Sequence, residues 1–197
     1  MVLPIYLDYN STTPVKKEVL DAMIPYFTEE FGNPSSRTHI YGQNAQKAVD
    51  TSRKNISNLL GCQKDEIIFT SGATESNNIA ILGVMREKAR IGFNHFITTE
   101  IEHKSVLGPA KQLEVEGIKV TYIKPMKNGI VKKTDIENEI TGKTGLVSVQ
   151  YVNNEIGTIQ PVQEISDFLK ERKKLFHCDA AKAVGKIHID LKNIQFD

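Results

Sequence analysis

Four polar clusters in this chain each follow an apolar run, and their residue types are those of a ligand site. Ser71-Gly72-Ala73-Thr74 follows Glu66–Thr70, and Glu102-His103-Lys104 comes soon after His95–Thr99. Asn153-Asn154-Glu155 follows Leu146–Val152, and Asp179 follows Leu175–Cys178. At the first cluster, exposed N–H groups at a helix start and the helix dipole suit a phosphate, and Gly72 permits close backbone approach. The same residues also suit a plain helix cap from Ser71 or Thr74. No Gly-Lys-Ser/Thr follows, so this is not a Walker loop. His103 offers an acid/base group or a flat ring to stack on a ligand; the alternative is a polar histidine at a helix start. Asn154 supplies a donor and an acceptor, or serves as a turn residue ahead of Gly157. Asp179 lies between an apolar strand and Ala180-Ala181, so it is expected to be partly buried. A carboxylate there needs a cation or good donors. The protonated ring nitrogen of a cofactor would serve, and helix capping is the other reading.

The remaining reactive side chains carry less. Cys62 trails a helical stripe and Cys178 ends an apolar strand, so both read as small packed residues and not as nucleophiles. His177-Cys178-Asp179 invites a metal reading, but neighbouring strand residues point to opposite faces and cannot easily share one ion. No metal site is expected.

The elements that must position these clusters alternate in period. Val15, Val19, Leu20, Met23 and Phe27 recur at helical spacing behind Pro14, a residue suited to a first helical position. Ala45 to Leu60 forms a clearer stripe, with Gly61 where a C-terminal cap belongs. Glu66–Thr70 reads as a strand and Thr74 to about Lys88 as a helix. His95–Thr99 is a strand, Ser105–Glu116 a helix ended by Gly117, and Lys119–Ile123 a strand. Asn128-Gly129 marks a turn, and Thr134 with Glu137 has capping-box spacing. Leu146–Val152 is the strongest strand, followed by a helix over Val162–Arg172 and a strand over Leu175–Cys178. Strands alternating with helices predict an α/β domain with a mainly parallel sheet. In such sheets ligands bind beyond the carboxyl ends of the strands, which would bring the four clusters to one rim.

Residues 1–14 stand outside this alternation. They hold an apolar piece, Ile5–Leu7, and a polar turn, Asn10–Thr13, and read as an arm that packs away from the main sheet. Ile187–Asp197 ends without a turn or a cap, the pattern expected of a truncated chain.

Composition narrows the function classes. The 197 residues carry 25 Lys+Arg against 24 Asp+Glu, a formal charge of +1, which gives no electrostatic case for nucleic acid. No apolar run approaches the ~18 residues of a membrane span, and Met1–Tyr6 holds no charged leader ahead of an apolar stretch. Two cysteines do not make a disulfide scaffold. A cytoplasmic globular protein is expected.

Six strings, in order and at matching spacing, carry a resemblance. They are Tyr6-Leu-Asp-Tyr-Asn-Ser-Thr-Thr-Pro14, Phe31-Gly-Asn-Pro-Ser-Ser-Arg37, Thr70-Ser-Gly-Ala-Thr-Glu-Ser76, Glu102-His103, Val152-Asn-Asn-Glu-Ile-Gly157 and His177-Cys-Asp-Ala-Ala181. Over essentially the whole chain the sequence resembles the NifS/IscS-type cysteine desulfurases of the class-V aminotransferase family. That resemblance implies the fold type I architecture of pyridoxal-phosphate enzymes, here the large-domain portion with a mainly parallel sheet flanked by helices. It implies that residues 1–14 belong with a small domain and that 15–197 form the cofactor-binding large domain. It implies a homodimer that takes sulfur from L-cysteine, leaves alanine, and passes the sulfur as a persulfide to iron–sulfur cluster assembly or tRNA thiolation. By the same resemblance Ala73 and Thr74 hold the cofactor phosphate, His103 stacks on the pyridine ring and moves protons, Asn154 lies beside cofactor and substrate, and Asp179 pairs with the pyridinium nitrogen.

Two departures from the family pattern stand out. Lys182 occupies the position where the family has a glutamine that donates to the cofactor's phenolic oxygen. The Ser-Gly-His-Lys motif with the Schiff-base lysine, and the loop with the persulfide-forming cysteine, are not among the 197 residues. The leading expectation is therefore the N-terminal part of a cysteine desulfurase, inactive by itself. The alternatives are a non-catalytic cofactor- or partner-binding module, and a selenocysteine lyase of the same fold.

Overall fold

The computed structural model describes residues 4–197, so Met1, Val2 and Leu3 of the expected arm lie outside the described residues. The chain forms two compact units. One comprises the residues up to 59 with Gln63–Ile67, the other Leu60–Cys62 and everything from Ile68 onward.

The first unit holds helices α1 (Lys17–Thr28) and α2 (Ile40–Leu60) and a 3₁₀ turn, Lys64–Glu66. Helix α1 begins three residues after Pro14, and none of its residues is buried. Its apolar stripe at Val19, Leu20, Met23, Ile24 and Phe27 faces open space. Residues 4–14 form no strand, so Ile5–Leu7 is not the strand-like piece its composition suggested. Gly61 follows α2 at φ +77°, the left-handed conformation that ends a helix and that side chains disfavour.

The expected strand at Glu66–Thr70 does not form. Glu66 belongs to the 3₁₀ turn, where its carboxylate accepts the N–H of Gln63 at 2.6 Å. Residues 67–70 pair with no strand, and Ile68 and Phe69 are exposed. A β-rich run becomes a strand only when a neighbour takes its backbone groups, and the four-stranded sheet does not include this one.

The second unit is an α/β sandwich. Its elements are α3 (Ala73–Arg90), β1 (His95–Thr99), α4 (Lys104–Val115), β2 (Lys119–Ile123), α5 (Lys133–Glu139), β3 (Thr144–Ser148), α6 (Val162–Glu171) and β4 (Leu175–His177). The four strands are parallel in the order β2-β1-β3-β4. Central strands β1 and β3 are buried throughout, whereas edge strand β2 is only partly covered.

Alternation along the strands divides the core. Phe96 and Leu146 face α3 and α4, joining Ile81, Met85, Val106, Ala110 and Leu113. Their neighbours Ile97 and Val147, with Phe176, face α5 and α6, joining Ile136, Val162, Ile165, Phe168 and Leu169. Helix α6 buries Val162, Ile165, Ser166, Phe168 and Leu169, the one-sided spacing of an amphipathic helix.

Two boundaries differ from the expected ones. β3 begins at Thr144 and ends at Ser148, not Leu146–Val152. Beyond it, Val149 and Tyr151 still donate to the carbonyls of His177 and Asp179 at 3.1 and 2.9 Å, and Val152 turns to bridge Ile159 in the antiparallel sense. The capping box at Thr134 and Glu137 is absent: α5 starts after Lys132, with Thr134 inside it. Glu137 pairs with Lys133 and Arg172 instead, at 3.5 and 3.6 Å.

The strand order creates a switch point. From β1 the chain crosses by α4 to β2 on one side, while β3 lies on the other side of β1 and leads by α6 to β4. Right-handed crossovers running in opposite directions put their helices on opposite faces and leave a crevice at the strand ends between β1 and β3. The loops after these two strands carry Glu102-His103 and Asn153-Asn154.

Candidate functional site

A cavity of about 170 Å³ opens at this switch point, lined by Ala73, His103, Gln150, Val152, Asn154, Asp179, Ala181 and Lys182. Five of the six residues singled out in the sequence line it; Thr74 does not. Thr74 sits in the first turn of α3, where its carbonyl accepts the side-chain amide of Asn78 at 2.8 Å.

The start of α3 carries no side-chain cap. Gly72 is its N-cap residue at φ 156° and ψ 179°. That backbone conformation is open essentially to glycine alone, and the space where a Cβ would stand is empty for 4 Å. Neither Ser71 nor Thr74 acts as the cap that the sequence left open. The N–H and hydroxyl of Ser71 instead donate to the Glu75 carboxylate at 2.6 and 2.7 Å, and these bonds hold Glu75 below the usual carboxyl range.

His103 stands at a helix start, as one of the two readings has it. It is the N-cap of α4, with its ring Nδ1 accepting the backbone N–H of Ser105 at 3.1 Å. It is also exposed and part of the cavity lining.

Asp179 follows β4 and is half-buried. Its Oδ1 accepts the N–H of Ala181 at 3.0 Å and its Oδ2 accepts the amide of Asn77 at 2.8 Å. Asn77 is buried on α3 and also donates to Ser105 at 2.8 Å. No local pattern marks Asn77 out, because its partners lie 28 and 102 residues away.

The two rim loops are tied together. Gln150 and Asn153 both donate to the carbonyl of Ile101, at 2.7 and 2.9 Å. The Oδ1 of Asn153 accepts the N–H groups of Glu155 and Ile156, which bends the loop at Asn154. Asn154 itself donates to Glu155 at 2.6 Å. Glu102, in the sequence only the neighbour of His103, is buried. Its Oε1 accepts from Gln150 and Thr99, and its Oε2 has no partner. Burial above all, then the nearby Asp179 charge, push its carboxyl up to about 8 against those two hydrogen bonds, so it is largely neutral at pH 7.

The cysteines are poorly placed for nucleophilic work. Burial pushes the Cys178 thiol up, with Glu102 and Asp179 adding to the effect, so the thiolate is disfavoured. His177 pairs with Ser148 at 2.8 Å, and burial, against the raising effect of the Asp179 charge, lowers its ring to about 4. Among the described residues no three His, Cys, Asp or Glu side chains are grouped as metal ligands.

The donor and acceptor set fits pyridoxal phosphate. Asp179 meets only donors within the protein and presents an acceptor to a cationic ring nitrogen. The uncapped start of α3 presents donors to a phosphate. His103 adds an exposed flat ring between polar neighbours.

The chain matches a known family and several known proteins. The family described as aminotransferase class-V matches residues 5–197. The chain is 52% identical over 194 residues to a mitosomal cysteine desulfurase of Trachipleistophora hominis, covering 98% of this chain and 44% of that protein. It is 48% identical to cysteine desulfurase IscS of Rickettsia massiliae (strain Mtu5), covering 100% of this chain and 48% of that protein. Among solved structures it superposes on SspA in complex with cysteine at a TM-score of 0.94 with 40% identity, covering 98% of this chain and 55% of that one. A NifS-like protein gives a TM-score of 0.94 at 38% identity, covering 99% of this chain and 54% of that one. The chain thus spans less than half the length of these two curated relatives.

Proposed function

We propose, because the chain belongs to the class-V aminotransferase family, that the protein is the N-terminal part of a pyridoxal-phosphate-dependent cysteine desulfurase. One observation carries the reading. Asp179, held by two donors, lines the same cavity as His103, Asn154, Lys182 and the first residue of the uncapped helix α3. Names of relatives at about half identity point the same way. In the complete enzyme, sulfur leaves L-cysteine for a protein thiol, giving a persulfide, and the carbon skeleton leaves as alanine. A homodimer, and delivery of the sulfur to an iron–sulfur scaffold or another acceptor, belong to the same proposal. Residues 1–14 are read as the segment that joins a small domain.

When bound, pyridoxal phosphate supplies an electron sink for the bonds at the substrate α-carbon. The chain's own residues bind and orient. Ala73 offers its backbone N–H, and Thr74 its backbone N–H and hydroxyl, to the phosphate. Asp179 receives the ring nitrogen, His103 stacks and holds a proton at its ring nitrogen, and Asn154 donates at the substrate side. Lys182 donates to the phenolic oxygen and brings a positive charge where the family has a neutral amide. The lysine and cysteine that the reaction also needs are not among these 197 residues.

No helix of the described structure is long and apolar enough to cross a membrane. The compartment we propose is the cytoplasm; the alternative is an organelle, as the names of two relatives give for those proteins. Reading the gene past codon 197 tests the whole proposal. A continuing frame that encodes Ser-Gly-His-Lys, and a product that binds pyridoxal phosphate and releases alanine from L-cysteine, are expected. A native stop there, or a protein that binds no pyridoxal phosphate, would overturn it in favour of a non-catalytic module.

A further inference from the structure

Four polar side chains join the two sides of the cavity in one line. His103 Nδ1 lies 2.8 Å from Ser105 Oγ. That oxygen is 2.8 Å from Asn77 Nδ2, which is in turn 2.8 Å from Asp179 Oδ2. The outer two residues line the cavity. The inner two do not, and they are buried at 4% and 5% exposure.

Chemistry fixes every hydrogen in this line. A carboxylate only accepts, so the Asn77 atom facing Asp179 is the amide nitrogen, with one hydrogen for Asp179 and one for Ser105. At the other end the backbone N–H of Ser105 donates to His103 Nδ1 at 3.1 Å. A backbone N–H only donates, so Nδ1 is the unprotonated nitrogen and the neutral ring carries its hydrogen on Nε2. The Ser105 hydroxyl receives from Asn77 and directs its own hydrogen toward Nδ1, which shares its one lone pair between this hydroxyl and the backbone N–H. The order runs from Asn77 outward to both ends.

We propose that Asn77 is a positioning residue that sets the orientation of the Asp179 carboxylate and, through the Ser105 hydroxyl, the ring orientation of His103, whose tautomer the Ser105 backbone N–H already fixes. The proposal rests on the reading of Asp179 and His103 as the cofactor-facing residues. Asn77 is the only member able to do this, because it donates in two directions at once; a serine or an aspartate at that position could not. The α3 helix that starts at the anion end of the cavity therefore also sets the groups at its far side.

The test uses the full chain with ¹⁵N-labelled histidine, His103 being assigned by its loss in His103→Gln. Long-range proton–nitrogen spectra of the unmodified protein should show His103 protonated at Nε2. In Asn77→Leu, which keeps volume and removes both donors, the His103 Nδ1 signal should shift as the Ser105 hydroxyl loses its direction, while the remaining histidines stay put. Affinity for pyridoxal phosphate, read by calorimetry, should fall roughly tenfold, the lower end of what one hydrogen bond to a charged group is worth. Should Asn77→Leu fail to fold, Ser105→Ala cuts only the histidine arm. It should move the His103 signals and leave most of the affinity. A His103 protonated at Nδ1, or signals unmoved in Ser105→Ala, overturns the proposal, as does unchanged affinity in a folded Asn77→Leu. Absence of pyridoxal phosphate binding by the unmodified protein would instead overturn the proposed function, and the nitrogen spectra would still decide the role of Asn77.

Discussion

Glu102 accepts the backbone N–H of Gln150 at 2.9 Å, so a buried carboxyl from the turn after β1 seals the end of β3. The bond holds two loops at the floor of the switch point, and its donor lines the cavity. It is made by a group that is neutral at pH 7, since burial raises Glu102 to about 8.

That neutrality predicts a pH dependence of stability. The folded protein keeps the Glu102 proton up to about 8, whereas the unfolded chain releases it near the ordinary value of 4.5. Between those values the native state binds more protons, so stability falls as pH rises and levels off above about 8. Each pH unit crossed within that window costs ~1.4 kcal/mol, so the whole loss is a few kcal/mol. Glu102→Gln, which stays neutral, should flatten this slope in urea titrations at pH 5 to 9. A wild-type slope that persists in Glu102→Gln would mean another group is responsible.

Asp179→Asn should leave the fold intact and weaken pyridoxal phosphate binding, because it replaces an acceptor-only carboxylate with a group that also donates. In the complete enzyme, alanine release from L-cysteine should drop roughly a hundredfold or more, the scale of losing one electrostatic stabiliser. Near-normal turnover would leave Asp179 as a turn residue for Ala181.

At the anion end, Thr74→Ala should lower affinity for pyridoxal phosphate, and for inorganic phosphate alone, by roughly tenfold if a hydrogen bond to charge is lost. Because Thr74 does not line the cavity, equal binding by wild type and variant in calorimetry would assign the anion to backbone groups of α3 only.

The 197-residue chain by itself should release no sulfide from L-cysteine in the presence of pyridoxal phosphate. It lacks both the family's cofactor-linking lysine and its thiol loop. Lys182 is the one lysine in the cavity lining. Borohydride treatment followed by mass spectrometry should find no cofactor fixed to it, since the matching family position addresses the phenolic oxygen. Sulfide above a protein-free control would refute this, and a reduced adduct at Lys182 would reveal a lysine site of this chain's own making.

Local pattern determined much of this protein. Period and punctuation alone place α3, β1, α4, β2, α6 and β4 within a few residues, because each element buries one face and the sequence must repeat with that face. Polar residues after the strands were legible for the same reason: strand ends are where a parallel sheet leaves backbone and side chains open. Pairing was not legible. Glu66–Thr70 has the composition of a strand and is none, since a strand exists only with a neighbour. Thr134 and Glu137 have the spacing of a cap, but the helix starts at Lys133. Nor could the sequence single out Asn77 or show what Glu102 does. One is an asparagine within a helix and the other an acid before a histidine, and both acquire their roles from partners 28 to 102 residues distant. The sheet order β2-β1-β3-β4 brings those partners within hydrogen-bond reach, and only the folded chain decides that order.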